Sequence, residues 1–315
     1  MNLDIAITKR DIGPHHHQVK SLLRKFQRIE ENKEALKKLT ISLELEGEEY
    51  HELSGAVIWR LARHYQDLPC EKILASAPEI QEVLKKRRFY DGLFGSRSTE
   101  SNINVPIDFE AFTPRRHNEP GWKGARAEEI YKAAMGNMLD AANEFQGEVY
   151  SNVLEILNNV FDHSEHSSEA GIVCAKADNS NRLSVCAVDM GQGIRASLLS
   201  NPALREEYES MSDHDLLREV MKHRVSCNPS FAKHPNYQYT NNGGIGLYYL
   251  SLMAKMHKGG QLILISDGGY YYLDSHKKEV RRRLGDLTWP GTIVFFRIDL
   301  DQEINPIYRE YVQNI

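Results

Sequence analysis

Residues 148–163, EVYSNVLEILNNVFDH, carry two contrasting faces at helical spacing, and this limits what the chain can fold into. Val149, Val153, Ile156, Leu157 and Val160 share one side of a helical wheel, so a second layer must cover them. Glu155, Asn159 and His163 recur at i, i+4 and i+8 on the other side, flanked by Asn152, Asn158 and Asp162. Asparagine is a poor helix former, yet three occur here. A carboxylate, an amide and an imidazole also replace the Lys/Glu mixture of an ordinary solvated face.

Two glycine-rich turns come next. VDMGQGI (188–194) sets Asp189 at the end of an apolar strand, then Gly191 and Gly193. NNGGIGLYYL (241–250) sets Gly243, Gly244 and Gly246 just before a helix, with Leu247 inside it. Glycine lets a backbone approach a ligand closely, and the start of a helix offers free N–H groups to phosphate. Neither turn is a Walker loop or a dinucleotide fingerprint, because no Gly-Lys-Ser/Thr follows the second and no GxGxxG opens a helix at the first.

The 315 residues suggest about two domains at roughly 100–200 residues each. Hydrophobic residues at 41% and charged residues at 26% exclude an extensively disordered chain. A net charge of −5 argues against a dedicated nucleic-acid binder and leaves only a local basic patch. No apolar run approaches the ~18–20 residues of a membrane span, and the N-terminus lacks a secretory core, so a cytoplasmic location is expected. Cys70, Cys174, Cys186 and Cys227 form no CxxC pair, which removes a zinc ribbon and a redox dithiol.

Alternating and apolar runs predict an α/β protein of two parts. Residues 1–110 read as a small unit: a short strand, a charged helix, the strand TISLEL (40–45), a helix over 51–66, the strand KILAS (72–76) and a helix over 79–94. Residues 111–124 read as a linker, with VPIDFEAF (105–112) as a strand leading into it. Residues 125–315 read as the larger part. It begins with a helical stretch to about His166, broken near Gly147. Strands at 171–177 and 182–189 come after it, then an irregular region with a helix over 214–223, a helix over 246–257, and strands at 261–266, 270–275 and 292–298.

In this order the motifs resemble the ATP-binding domain of the GHKL superfamily, which joins gyrase, Hsp90, histidine kinases and MutL. The resemblance covers residues of about 125–300. Glu155, Asn159 and His163 match its N-box. Asp189, Gly191 and Gly193 match its first glycine box, and Gly244, Gly246 and Leu247 its second. Gly291-Thr292 matches its Gly-Thr before a strand. The resemblance implies a two-layer α/β sandwich of the Bergerat, histidine-kinase-like type. It implies ATP and Mg²⁺ as cofactors, with Asn159 ligating Mg²⁺ through its amide oxygen, which suits a hard cation. Asp189 would accept a hydrogen bond from the adenine amino group, supported by Thr292. The glycine boxes would cradle the phosphates, and residues 194–242 would be a lid, with Arg224 and Lys233 as phosphate contacts. Glu155 would be the general base on the attacking water. Gyrase-like and MutL-like enzymes take a phosphate-contacting lysine from a following domain, and that lysine has no counterpart here. The hydrolysing machinery would then be completed by the lid or by a protein partner or effector, and a homodimer is common in the superfamily.

Two resemblances compete for the small unit. HELSGAV (51–57) echoes the phosphoacceptor box of sensor kinases, with His51 as acceptor, although Ala56 stands where that box has proline. The strand and helix order is similar to STAS-like domains, which partner ATP-binding proteins of this superfamily. There Glu52-Leu53-Ser54-Gly55 partly matches the helix start that bears the phosphosite, and the alternative for Ser54 is a capping or packing role. His15, His16 and His17 read as an exposed loop; Asp162, His163, Glu165 and His166 resemble a metal cluster by composition, but the N-box already accounts for His163. KEVRRRLGD (278–286) reads as a solvated hairpin or a partner surface, and Tyr270, Tyr271 and Tyr272 as packing. Three activities remain open: an ATP-hydrolysing signalling switch, a protein kinase of the anti-sigma serine or histidine type, and a non-catalytic ATP sensor.

Overall fold

A computed structural model of the chain describes residues 1–44, 53–58, 68–76, 107–112, 139–140, 143–163, 170–177, 181–222 and 246–313. Two sheets organise these residues. The first is parallel, in the order β1 (Asn2–Thr8), β2 (Lys38–Glu44), β3 (Glu71–Ser76). Leu3, Ile5 and Ile7 of β1 and Leu39, Ile41 and Leu43 of β2 are buried at every second position, as a pleated strand requires. Helix α1 (His16–Asn32) crosses between β1 and β2 and buries Val19, Leu22, Leu23, Phe26 and Ile29, spaced by three or four residues. A short helix, α2 (53–58), lies between β2 and β3, and all six of its residues are buried.

A buried carboxylate ties the start of this unit together. Asp11 accepts hydrogen bonds from Thr8 N (2.7 Å) and Ser21 Oγ (2.6 Å), and it pairs with Lys25. Burial pushes the Asp11 carboxyl up, but the hydrogen bonds from Lys25, Ser21 and Thr8 outweigh it and hold the group below its ordinary value of 3.8.

The second sheet has seven strands, all antiparallel. Their order is β4 (Ile107–Phe112), β5 (Ala170–Ala177), β6 (Arg182–Asp189), β10 (Trp289–Asp299), β7 (Gln261–Asp267), β8 (Gly269–Asp274), β9 (Glu279–Arg283). Successive residues of its central strands enter different cores. Val185, Ala187, Val294, Phe296, Leu262 and Leu264 pack in the helical layer with Val149, Val153 and Ile156 of α3 (Glu144–His163) and Leu250, Met253 and Ala254 of α7 (Gly246–Met256). Cys186, Val188, Ile293, Phe295, Ile263 and Ile265 pack in one continuous core with the parallel sheet and α1. The Tyr270 hydroxyl donates to Pro14 O (2.6 Å), and the His16 ring meets Tyr270 edge-on at 5.3 Å. The N-terminal unit is therefore built onto the back of the large sheet.

The mixed α/β class expected from the sequence is what the chain adopts. Several elements differ in detail. Helix α3 runs through Gly147 without a break. The strand at 107–112, read as the end of the small unit and the start of the linker, pairs with β5 and belongs to the large sheet. The basic run near 280 is an edge strand, and a final helix, α8 (Pro306–Gln313), docks its Tyr308 into the helical core. Among the described residues no helix is long and apolar enough to cross a membrane.

Asp11→Asn should cost about 2 kcal/mol in a urea titration at pH 7, because the Lys25 pair and the accepted hydrogen bonds weaken together. Since the folded-state value lies below 3.8, the contribution of Asp11 is full above that value and fades as pH falls through the lower one. Wild type and variant should therefore converge in stability as pH falls below 3.8. A gap that stays constant over that range would refute the account.

Candidate functional site

The site lies where three neighbouring strands turn from apolar to polar on the helical face. On β6 the residues facing the helices are Leu183, Val185 and Ala187, and the next on that side is Asp189. On β10 the series Ile298, Phe296, Val294 ends in Thr292, and on β7 Leu262 and Leu264 are followed by Ser266. Thr292 pairs with Ser266 across the ladder, and the last pair of the other ladder, Ile293 with Val188, brings Thr292 alongside Asp189. Asp189 is 1% exposed and Ser266 is fully buried, while Thr292 is half-buried.

The chain after Asp189 is held by side chains that arrive from far along the sequence. Asp189 Oδ1 accepts from Gly191 N (2.7 Å), and the Trp289 indole donates to Asp189 O (2.8 Å). Ser266 Oγ accepts from Ile194 N (2.9 Å) and donates to Gly291 O (2.6 Å). Asp267 Oδ2 accepts from Arg195 N (3.2 Å). Burial pushes the Asp267 carboxyl up, and Asp213 nearby adds to that. Two N–H groups at the head of α4 (Gly193–Leu199) are thus taken by Ser266 and Asp267. The sequence suggested that the helix after the first glycine turn would offer free N–H groups to phosphate, and at Ile194 and Arg195 it does not.

Close backbone approach explains two of the glycines. A Cβ on Gly291 would lie 2.4 Å from Asp189 O and 2.6 Å from Met190 Cα, so only glycine lets β10 come in beside Asp189. A Cβ on Gly246, the first residue of α7, would lie 2.8 Å from Glu155 Oε2 and 3.0 Å from Glu155 Cβ. Glu155 on α3 and the first residue of α7 are therefore in contact.

The polar stripe of α3 is covered at Asn152. Asn152 is 3% exposed, and its Nδ2 donates to Glu148 O (2.8 Å) and to the Tyr308 hydroxyl (3.4 Å). Burial pushes both the Glu148 carboxyl and the Tyr308 hydroxyl up. The stripe runs under α7 and α8 before it reaches Glu155.

The other sequence candidates are spread more widely. Asn159 and His163 lie one and two turns beyond Glu155 on α3, and their side chains lie outside the described residues. Gly243, Gly244, Arg224, Lys233 and His51 also lie outside them. Gly193 is buried at the head of α4, and Leu247 packs against the helical core. Of the span read as a lid, residues 194–222 hold α4, α5 (Pro202–Tyr208) and α6 (Asp213–Glu219), and bury Leu198, Tyr208, Leu216, Leu217, Val220 and Met221 in the helical core. The rest of that span, 223–242, lies outside the described residues. Ser54 is 2% exposed and accepts from Gly13 N (2.9 Å), which is the packing alternative for that residue. Among the described residues no group of three or more His, Cys, Asp and Glu side chains is placed to hold a metal.

Comparison of the chain with protein-family models, curated proteins and solved structures gives no match.

Gly291→Ala should lower stability by about 2–3 kcal/mol, because backbone on both sides would have to move. Gly246→Ala should cost about 1 kcal/mol, since part of what it meets is the movable end of Glu155. Urea midpoints of the two variants measure this directly. Equal midpoints, or a larger loss for Gly246→Ala, would contradict these contacts.

Proposed function

We propose that the chain is an Mg²⁺-dependent ATP-binding switch of the GHKL type that hydrolyses ATP. The carrying observation is the buried Asp189 at the end of β6, flanked by Thr292, on the same sheet face as the contact between Glu155 and Gly246. Residues of all four motifs thereby lie on one face of one sheet. A carboxylate accepts hydrogen bonds and does not donate them, so it matches the amino group of adenine and opposes the carbonyl oxygen that guanine holds at the same place. Thr292 adds a hydroxyl beside it.

In this reading Glu155 takes the proton of the attacking water, and its contact with Gly246 sets the carboxylate against the turn that meets the phosphates. Asn159, one turn further along α3, ligates Mg²⁺ through its amide oxygen, and His163 stands a turn beyond. Bound Mg²⁺ would draw charge from the phosphate oxygens. The Ser266 and Asp267 bonds fix the first glycine turn, so phosphate contacts fall to the second turn and to residues of 223–245.

The N-terminal unit is suited to reading the nucleotide state. Cys186 and Val188 of β6 pack against it, while Val185 and Ala187 of the same strand pack under α3. A shift at Asp189 reaches both cores through one strand. A partner that completes the hydrolytic site belongs to the same reading.

Incubation with γ-labelled ATP and Mg²⁺, following free phosphate and protein-bound label together, tests it. Phosphate should be released, and Glu155→Ala should reduce release by about 100-fold or more while ATP still binds. Asp189→Asn should weaken ATP binding itself by at least about 10-fold in calorimetry. Release unaffected by Glu155→Ala would remove the general base, and label held on the protein would establish a kinase instead. Binding unaffected by Asp189→Asn would remove the adenine site.

A further inference from the structure

Two basic features far apart in sequence, the histidine run at 15–17 and the run near 280, meet on one surface. His16 Nε2 lies 2.9 Å from Arg283 O, and Lys20 Nζ would be 3.1 Å from a Cβ on Gly285. The groups are close enough to oppose one another's charge. Burial chiefly holds His15 and His16 below the ordinary imidazole value, and Lys278 acts on His15 while Lys20 and Arg282 act on His16. Among the described residues none of Lys20, Lys277, Lys278, Arg282 and Arg283 makes an ion pair. Arg281 differs, because it is neutralised by Asp215 (2.8 Å) and Glu279 (3.5 Å). Lys20, Lys278 and Arg282 act on these imidazoles and share one surface, whereas Arg283, paired with Gly269 across the ladder, falls on the opposite face of the strand with Arg281. Three uncompensated cations on a chain of net charge −5 form a local field opposite in sign to the rest of the molecule.

The kind of partner is set by the other groups this surface offers. It lies along β9, an edge strand, but two main-chain carbonyls there are already engaged. Arg283 O meets His16, and Arg281 O accepts from Arg282 Nη1 (3.0 Å). An added peptide strand would lose those acceptors. Among the described residues the exposed large apolar side chains are Met1, Ile307 and Tyr311, outside this cluster, and Tyr270 and Tyr272 beneath it are buried. A protein partner would lack its usual aromatic or aliphatic anchor, and unpaired bases would lack a stacking platform. Charge is what remains, presented by guanidinium forks and ammonium groups that suit phosphate oxygens.

We propose that the start of α1 and residues 277–283 together bind the phosphodiester backbone of duplex nucleic acid, without reading its sequence. The proposal is independent of the nucleotide site.

Fluorescence anisotropy of the full chain with a labelled duplex of about 20 base pairs tests it. Three phosphate contacts predict that affinity falls by about 40-fold between 50 and 200 mM salt. Duplexes of unrelated sequence should bind within about 2-fold of each other. The double substitution Lys20→Glu with Arg282→Glu should weaken binding by at least about 10-fold, and Lys20→Glu with Lys278→Glu should do the same. Unchanged thermal melts would show that both variants fold. No binding at 50 mM salt, or binding untouched by either double substitution, would overturn the proposal. So would tighter binding to polyglutamate than to the duplex, which would assign the surface to an acidic protein.

Discussion

The close approach of β10 to β6 at Gly291 is the constraint on which the rest of the site depends. A side chain there would collide with Asp189 O, so the two strands could not both run to their polar ends. Once they do, Gly291 O accepts from Ser266 Oγ, and that hydroxyl oxygen in turn accepts from Ile194 N. Trp289, two residues before Gly291, closes the other side by donating to Asp189 O. Three strands and the head of a helix are thus pinned at one point by buried hydrogen bonds. Each of these groups would otherwise be a polar atom without water, which costs roughly 1–3 kcal/mol. The arrangement is consequently all or none.

The two-sided burial of the large sheet explains why its central strands look as they do. A strand with one wet face alternates apolar and polar residues, whereas one covered on both faces reads as a continuous apolar run. Ile293, Val294, Phe295 and Phe296 are all at most 3% exposed, and Leu262 to Ile265 are fully buried. The helical layer covers one side and the N-terminal unit the other. A polar residue in such a run carries a cost that only a partner removes. Ser266 has its partners in Ile194 and Gly291, and the Ser184 hydroxyl accepts from Arg297 Nε (2.9 Å).

What could be read from the sequence was what local periodicity encodes. TISLEL, the 182–189 run and QLILIS gave their strands because alternation or continuous apolarity is a property of adjacent residues. The helix at 144–163 was legible from its two faces. The burial of Asn152 under Tyr308 was not, because the covering helix α8 comes from the chain's last residues. Ser266, Asp267 and Trp289 escaped for the same reason. Each acts on a backbone group between 72 and 100 positions away, and nothing beside it in sequence announces that. The run near 280, read as a solvated hairpin or a partner surface, is the outer arm of the β8–β9 hairpin, and its arginine-rich composition is what an edge strand tolerates.

The same geometry limits how a ligand at Asp189 could be felt elsewhere. The turn after Asp189 is clamped to β7 through Ser266 and Asp267, so it cannot move by itself. Movement must pass either along β6, whose alternate side chains reach both cores, or through α4 to Arg195. That guanidinium donates to Asp213 (2.6 Å), and Asp213 Oδ2 accepts from Gly268 N (3.0 Å). Asp213 opens α6, which packs on β8, and the opposite face of β8 carries Tyr270 against Pro14 and His16 of the N-terminal unit. Both routes therefore end on the back of the sheet. A densely packed interior with two stacked cores transmits displacement better than it absorbs it, which makes the N-terminal unit the natural receiver of any change at the front.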